Sequence, residues 1–349
     1  MMDKKTGVLV ITDHNYNNMG NIISGLCVLE QKIKAEGGSF VWLFTKHVAG
    51  YDWVGTLDKV YFLSGEAKAD KKLISDIVSR HGINIIHTHF CPQSILAFVK
   101  LYCLRHRSVK FIRHMHMLYR KKSFLPAEKA KQFLSFGKVN VACSEMCAET
   151  MRAAGIKHVV TVTNGVDFCS LSKERKPHTG LNILMFGYDY KNKGVDLAIS
   201  AVKKLTEDDV KLLICVAGDV ENVKKHIIED FGSIPDFAEF LPPQENVSSL
   251  YSTADIFLSS GSIESFCFAV REALYCGCRT VVSNIPSQIM NSGEFAFKAG
   301  DADDLSRVLS LAAKAQYDED QASENVRSSS VSLEKWADNM LAVYKKALL

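Results

Sequence analysis

The sequence predicts an α/β chain of two domains, each built around a parallel sheet. Three observations carry that expectation. Short apolar segments alternate with helical patterns almost from end to end, as strand–helix–strand units require. One polar link, Leu171-Ser-Lys-Glu-Arg-Lys-Pro-His-Thr-Gly180, interrupts the alternation near the middle. The 349 residues, 47% of them apolar, suffice for two cores of ordinary size.

Taken in order, the first domain (residues 1–170) should hold strands near Gly7–Thr12, Ser39–Thr45, Ile83–His87, Lys110–His114, Val139–Cys143 and Val159–Thr163. The second (181–330) should hold strands near Leu181–Phe186, Lys211–Ala217, Ile256–Ser259 and Thr280–Ser283. The final segment, 331–349, reads as an amphipathic helix around Trp336 and Tyr344. No internal repeat or low-complexity tract is visible.

Composition narrows the function classes. No apolar run approaches the ~18 residues that cross a bilayer, and no signal peptide pattern opens the chain, so a cytoplasmic location is expected. The ten cysteines follow no framework spacing, which fits a reducing compartment and core thiols. Net charge is +3, but residues 1–176 carry 26 Lys plus Arg against 14 Asp plus Glu, while the remainder carries 16 against 25. Between Lys100 and Lys138 eleven basic residues face one acidic residue, Glu128, and interleave with Leu101, Leu104, Phe111, Tyr119 and Phe124. That composition suits an anionic membrane surface such as the inner face of the plasma membrane, each cation adding ~1 kcal/mol near it. A solvated basic face is the plain competitor. Nucleic acid is not expected, because no recognition motif accompanies the charge.

The chemistry-bearing residues cluster in loops after strands. Glu264 and Glu272 lie eight apart, just beyond the apolar run Ile256–Ser259. A helix starting near Ser262 would carry both carboxylates on one face, about 12 Å apart along its axis, which suits a ligand with two polar ends. A solvated glutamate pair is the alternative. In Phe186-Gly187-Tyr188-Asp189-Tyr190-Lys191-Asn192-Lys193-Gly194, a basic loop leads from a strand into a helix. A lysine there can set its ammonium on a diphosphate, aided by helix N-terminal amides. His87-Thr-His89 and His114-Met-His116 stand at two strand ends. Because HxH at a strand-to-loop turn is expected to point its two rings in different directions, and no Cys or carboxylate completes a quartet, no metal site is expected. Gly20 and Asn21 close a polar loop ahead of a helix. Asp301-Ala-Asp303 reads as a helix N-cap rather than a cation ligand pair, and Asn164-Gly165-Val166-Asp167 as a tight turn.

These motifs resemble the retaining glycosyltransferases of family 4. Glu264-Ser265-Phe266-Cys267 and Glu272-Ala273 stand where that family carries Glu-Gly-Phe-Gly and a second Glu-Ala, so both glycines are replaced. Cys276-Gly277-Cys278 leading into Arg279–Ser283, Lys193-Gly194, Asn164–Asp167 and Met115-His116 also match. Tyr188 stands where the family has an arginine, leaving Lys191 as the substitute for half of the phosphate clamp. The resemblance implies the GT-B fold, two Rossmann-like domains facing across a cleft, with the last helix crossing back to the first domain. It implies a metal-independent, cofactor-free transfer from a nucleotide-diphosphate sugar, UDP-linked in the commonest case, to a glycan or lipid-linked acceptor in cell-surface polysaccharide synthesis. The donor side would comprise Gly20, Gly187, Lys193, Leu241, Glu264, Phe266, Cys267 and Glu272. Among these Glu272 would hold the ribose, Lys193 the diphosphate and Glu264 the sugar hydroxyls. Asn21 and His89 would line the acceptor side. Glu264, Lys193 and His116, the last preferred to His114, would act at the reacting centre. An inactive binding subunit or a nucleotide-sugar epimerase on the same scaffold are the rival readings.

Overall fold

The computed structural model describes residues 5–46, 48–120, 126–206, 209–292 and 295–349. The chain divides into two compact units, Met1–Gly165 with Val331–Leu349, and Val166–Ser330. The division falls ahead of the polar link, because Asn164–Asp167 is not a tight turn: Gly165–Val166 forms a short strand.

The first unit runs β1 (Gly7–Thr12), α1 (Gly20–Ala35), β2 (Ser39–Phe44), β3 (Val60–Phe62), α2 (Ala67–Arg80), β4 (Ile85–His89), α3 (Gln93–Arg105), β5 (Lys110–Met115), α4 (Pro126–Ser135), β6 (Val139–Ala142), α5 (Glu145–Ala153) and β7 (Val159–Thr161). After β8 (Gly165–Val166), the second unit runs β9 (Leu181–Phe186), α6 (Val195–Val202), β10 (Val210–Cys215), α7 (Val220–Phe231), β11 (Ala238–Leu241), α8 (Ser248–Tyr251), β12 (Ile256–Ser259), α9 (Phe268–Tyr275), β13 (Arg279–Ser283), α10 (Pro286–Ser292), β14 (Phe295–Phe297), α11 (Ala302–Lys314) and α12 (Glu319–Ser329). The chain then returns to the first unit through β15 (Val331–Ser332) and α13 (Leu333–Leu348).

Among the described residues, the first unit has a seven-stranded sheet in the order β3-β2-β1-β4-β5-β6-β7, and the second a six-stranded sheet in the order β11-β10-β9-β12-β13-β14. Every pairing between these strands is parallel. In each sheet the order reverses beside the first strand, between β1 and β4 and between β9 and β12. Loops leaving the carboxyl ends of strands on either side of such a point diverge and open a crevice.

Burial on both faces explains why the strands read as unbroken apolar runs. Val8 and Val10 of β1 join Phe40, Trp42 and Phe44 of β2 in a core with α1 and α13. Leu9 and Ile11 point the other way into a core with α2, α3 and Phe111. Strands β3, β11 and β14 were not anticipated. Each is three or four residues long and lies at a sheet edge, where the apolar signal is too short to stand out.

Helix α13 presents Trp336, Met340 and Tyr344 at four-residue spacing, and all three are buried. It lies close along α1. A Cβ on Gly25 of α1 would meet Trp336 Cε3 at 3.1 Å, so glycine sets that approach. Trp336→Ala should therefore cost the first unit about 3–5 kcal/mol. A midpoint shift in urea equivalent to less than ~1 kcal/mol would show that α13 is an accessory to the first core rather than part of it.

Candidate functional site

In the second unit, the loops after β9 and β12 are built to lie against each other, backbone to backbone. Gly187 follows β9 with no room for a side chain: a Cβ would sit 2.6 Å from Ile214 Cγ2. Gly194 caps α6 with φ 67°, and its Cβ would lie 2.8 Å from the Ser260 carbonyl oxygen. Both facts require glycine. The Ser260 hydroxyl reaches across to the carbonyl oxygens of Lys193, at 2.9 Å, and Gly194, at 3.2 Å.

This lock brings Lys193 and Glu264 into an ion pair, with the two side chains only 21% and 16% exposed. The Lys193 ammonium also lies 4.9 Å from the Tyr188 ring centre, within cation–π range. Burial opposes the charge on Lys193. Attraction to Glu264 and the contact with Tyr188 outweigh it, and the pKa stands above the ordinary lysine range. Tyr188, where the family arginine was expected, thus covers the lysine with an aromatic face. Lys191 cannot stand in for that arginine in this arrangement: it is held 2.8 Å from both Asp196 and Asp230 on the surface.

The expected helix from Ser262 does not form. Helix α9 starts only at Phe268, because Cys267 adopts a left-handed conformation, φ 54° and ψ 73°, which a right-handed helix cannot continue. Glu264 therefore sits in the loop ahead of α9, Glu272 sits on the helix, and the two do not share one helical face. Glu272 is also more enclosed than a groove residue. It is 9% exposed, and the fully buried Tyr251 donates its hydroxyl to Glu272 Oε2 at 2.9 Å. Phe266 and Cys267 are buried in the same turn. Leu241 is half-buried at the end of β11, where its carbonyl accepts from the Val216 amide. No described contact joins it to Lys193 or Glu264.

Arg271 was missed. Its guanidinium lies 4.0 Å from the Phe266 ring centre and donates to the Phe266 carbonyl at 2.7 Å, so it clamps the turn between the glutamates. Burial lowers its pKa to about 10. Its place one residue before Glu272 was the available signal.

In the first unit, the loop from β1 to α1 is pinned by His14, whose backbone amide donates to Thr12 Oγ1 at 3.2 Å and whose Nε2 meets the Asn18 carbonyl at 2.9 Å. Gly20 opens α1 with φ 57°, and Asn21 follows it. Strand β4 runs through His89 rather than ending at His87, and its register pairs His89 with His114. Residues i and i+2 of a strand share a face, so the expected divergence of the HxH rings is corrected: His87 and His89 lie side by side, ring centres 4.1 Å apart. His89 Nδ1 is 2.9 Å from His116 Nε2, and the Tyr344 hydroxyl of α13 is 2.6 Å from His87 Nδ1. His116 stacks between His114, at 4.4 Å, and Phe90, also at 4.4 Å. Phe90 is 48% exposed and held at φ 57°. Burial drives His87, His89 and His114 well below the usual histidine range and His116 down to about 3, so the four imidazoles are neutral at pH 7.

Of the other motifs, Asp301 caps α11 by accepting from the amides of Asp303 and Asp304, both at 3.1 Å. In the basic stretch, Lys121, Lys122, Phe124 and Leu125 lie outside the described residues. Leu101 and Leu104 of α3 and Phe133 of α4 are exposed, with the Lys100 ammonium 4.8 Å from the Phe133 ring centre. No helix among the described residues is long and apolar enough to cross a membrane.

Two family models match, "Glycosyl transferases group 1" over residues 170–329 and "Glycosyltransferase Family 4" over residues 61–168. The chain belongs to the group 1, family 4 type of glycosyltransferase. It is similar to a subunit of the phosphatidylinositol N-acetylglucosaminyltransferase of Arabidopsis thaliana, 23% identical over 88% of this chain and 74% of that one. It also resembles a GDP-mannose-dependent phosphatidylinositol dimannoside mannosyltransferase of Mycobacterium tuberculosis, 26% identical over 46% of each. A Rickettsia africae glycosyltransferase superposes with a TM-score of 0.79 at 16% identity, covering 99% of both chains. An Anabaena protein crystallised with UDP gives 0.77 at 14%, covering 98% of this chain and 100% of that one. Both share the GT-B fold expected from the sequence.

The burial of Glu272 sets a prediction for this glycosyltransferase. Glu272→Ala should cost about 1–3 kcal/mol of second-unit stability, because the Tyr251 hydroxyl loses its carboxylate. Glu272→Ala with Tyr251→Phe should recover part of that loss. Denaturant midpoints of the two variants decide it, and equal midpoints for Glu272→Ala and the wild type would mean the hydrogen bond carries no net weight.

Proposed function

We propose that this glycosyltransferase moves a sugar, with retention of anomeric configuration, from a nucleotide-diphosphate donor to a glycan or lipid-linked acceptor of cell-surface polysaccharide synthesis, without a metal on the phosphates. The observation that carries the reading is the enclosed Lys193–Glu264 pair at the carboxyl edge of the second sheet. An ammonium has three N–H donors. One can stay on Glu264 while another takes the diphosphate, whose charge grows as the bond to the sugar breaks. Glu264 then faces the sugar hydroxyls, and Glu272 the ribose once Tyr251 shares its carboxylate. Gly187, Phe266, Cys267 and Leu241 shape the donor side in the second unit, and Gly20, Asn21, His89 and His116 of the first unit are assigned to the acceptor. In front-face retention the leaving phosphate oxygen takes the acceptor's proton, so no protein nucleophile is required. UDP is the first nucleotide to test, since the Anabaena neighbour was crystallised with it, whereas a curated relative is named for GDP-mannose.

A panel of labelled nucleotide sugars separates transfer or slow hydrolysis from bare binding and from isomerisation, the outcomes of an inactive binder and an epimerase. Within it, Lys193→Met should lower kcat/KM at least ~100-fold, on the scale of removing one preorganised electrostatic contact. Removing the lysine also strands the enclosed Glu264 carboxylate, a loss of about 3–5 kcal/mol. The double variant Lys193→Met, Glu264→Gln should restore stability and leave turnover low. Full turnover in either variant would move the phosphate site elsewhere.

The basic, apolar surface of α3 and α4 is proposed to meet an anionic membrane carrying the acceptor. Ser in place of Arg105, Arg107, Lys129 and Lys131 should abolish most sedimentation with anionic vesicles at low salt and leave nucleotide affinity unchanged. Equal sedimentation with neutral vesicles would overturn this.

A further inference from the structure

The geometry points to a three-histidine transition-metal site, of the kind that takes zinc, formed by His87, His89 and His114 in the first unit. Each offers a ring nitrogen, and these atoms lie within 4.8 Å of one another. Zinc–nitrogen bonds of ~2.0–2.1 Å in a tetrahedral arrangement set ligand atoms roughly 3.3 Å apart, so a modest closing of the three rings would seat an ion.

The topology gives this convergence for structural reasons. Strands β4 and β5 are neighbours, His87 and His89 stand on one face of β4, and the register sets His114 opposite His89. All three side chains are at most 2% exposed. Among the described residues, neither ring nitrogen of His114 has a hydrogen-bond partner, and neither does Nε2 of His87. Buried donors and acceptors are rarely left in that condition, each costing ~1–3 kcal/mol. The hydrogen-bonded chain from Tyr344 through His87 and His89 to His116 never includes His114, and a metal would replace its 3.3 Å step between His89 Nε2 and His87 Nδ1. A metal would account for His114.

The surroundings resemble those of metal ligands elsewhere. Ligating imidazoles are generally oriented by a partner on the nitrogen that does not bind. His87 Nδ1 meets the Tyr344 hydroxyl at 2.6 Å, and His89 Nδ1 meets His116 Nε2 at 2.9 Å. His114 is stacked against Trp336, ring centres 6.1 Å apart, which fixes its plane. Three neutral ligands leave a fourth position for water or hydroxide. The ion would belong to the scaffold beneath His116, orienting it through His89, while the residues assigned to the diphosphate belong to the other unit. The contact of Lys193 with the diphosphate proposed above does not pass through it.

Metal analysis of the tag-free full-length protein decides the matter. After exposure to zinc chloride and exhaustive dialysis, the wild type should retain one zinc per chain. Cobalt(II) in its place should give the intense visible bands of a tetrahedral nitrogen site. His114→Phe keeps a ring against Trp336 and removes both nitrogens. It should bind zinc at least 100-fold more weakly, lose the cobalt bands and lose any zinc-dependent rise in Tm. A wild type without stoichiometric zinc or tetrahedral cobalt bands would overturn the site, leaving a histidine stack bridged by buried water. Zinc bound equally by His114→Phe would also overturn it, assigning the metal to surface imidazoles such as His178 and His226. Should His114→Phe fail to fold, His87→Gln and the wild-type cobalt spectrum carry the same decision.

Discussion

The second unit's site depends on one close approach, that of the loop after β9 to the loop after β12. Nothing larger than hydrogen fits at Gly194, whose Cβ would strike the Ser260 carbonyl, and a Cβ on Gly261 would lie 2.9 Å from the Asn192 carbonyl. The Ser260 hydroxyl then ties the two backbones together. Because the loops cannot separate without breaking these contacts, Lys193 and Glu264 meet in a partly desolvated space, where their attraction far exceeds that of a surface pair. The charge is held ready rather than recruited, as the proposed stabilisation of a leaving diphosphate would demand.

The fold was legible in the sequence wherever a strand lay inside a sheet. Both faces of such a strand are buried, so β1, β2 and β9 read as continuous apolar runs. The edge strands β3, β11 and β14 were not, because an edge needs only three or four residues and tolerates polar ones. The Lys193 loop was legible because Gly194 marks a helix start. The Glu264–Glu272 geometry was misread for an equally local reason. Residue spacing alone cannot reveal that Cys267 takes a left-handed conformation, one that non-glycine residues adopt rarely. In the family pattern to which this segment was matched, glycine stands at that position, and here cysteine does.

The histidines show the same limit from the other side. Moving the end of β4 by two residues turns a diverging loop pair into two rings on one face. Periodicity fixes the existence of a strand far better than its last residue, and side-chain direction hangs on that last residue. Tyr344 was further out of reach, since it lies 257 positions from His87 and meets it only because α13 returns to the first unit. Pairings of that separation leave no mark in a local window.

Net charge and site chemistry run in opposite senses in the two units. Residues 1–176 carry the basic excess, 26 against 14, yet the groups at the strand ends of the first unit are imidazoles that burial holds neutral. The remainder is acidic, 16 against 25, yet its site centres on a lysine whose charge Glu264 and Tyr188 secure. A long-range field is screened within ~8 Å at physiological salt and can attract only what approaches the surface. A desolvated ammonium acts on whatever touches it. A basic surface on the first unit therefore attracts anions at long range, while the net-acidic second unit can hold one only through contact geometry, which the proposed diphosphate contact at Lys193 would require. That division explains why the lysine loop is built so tightly and why the bulk of the basic residues lie far along the chain from it.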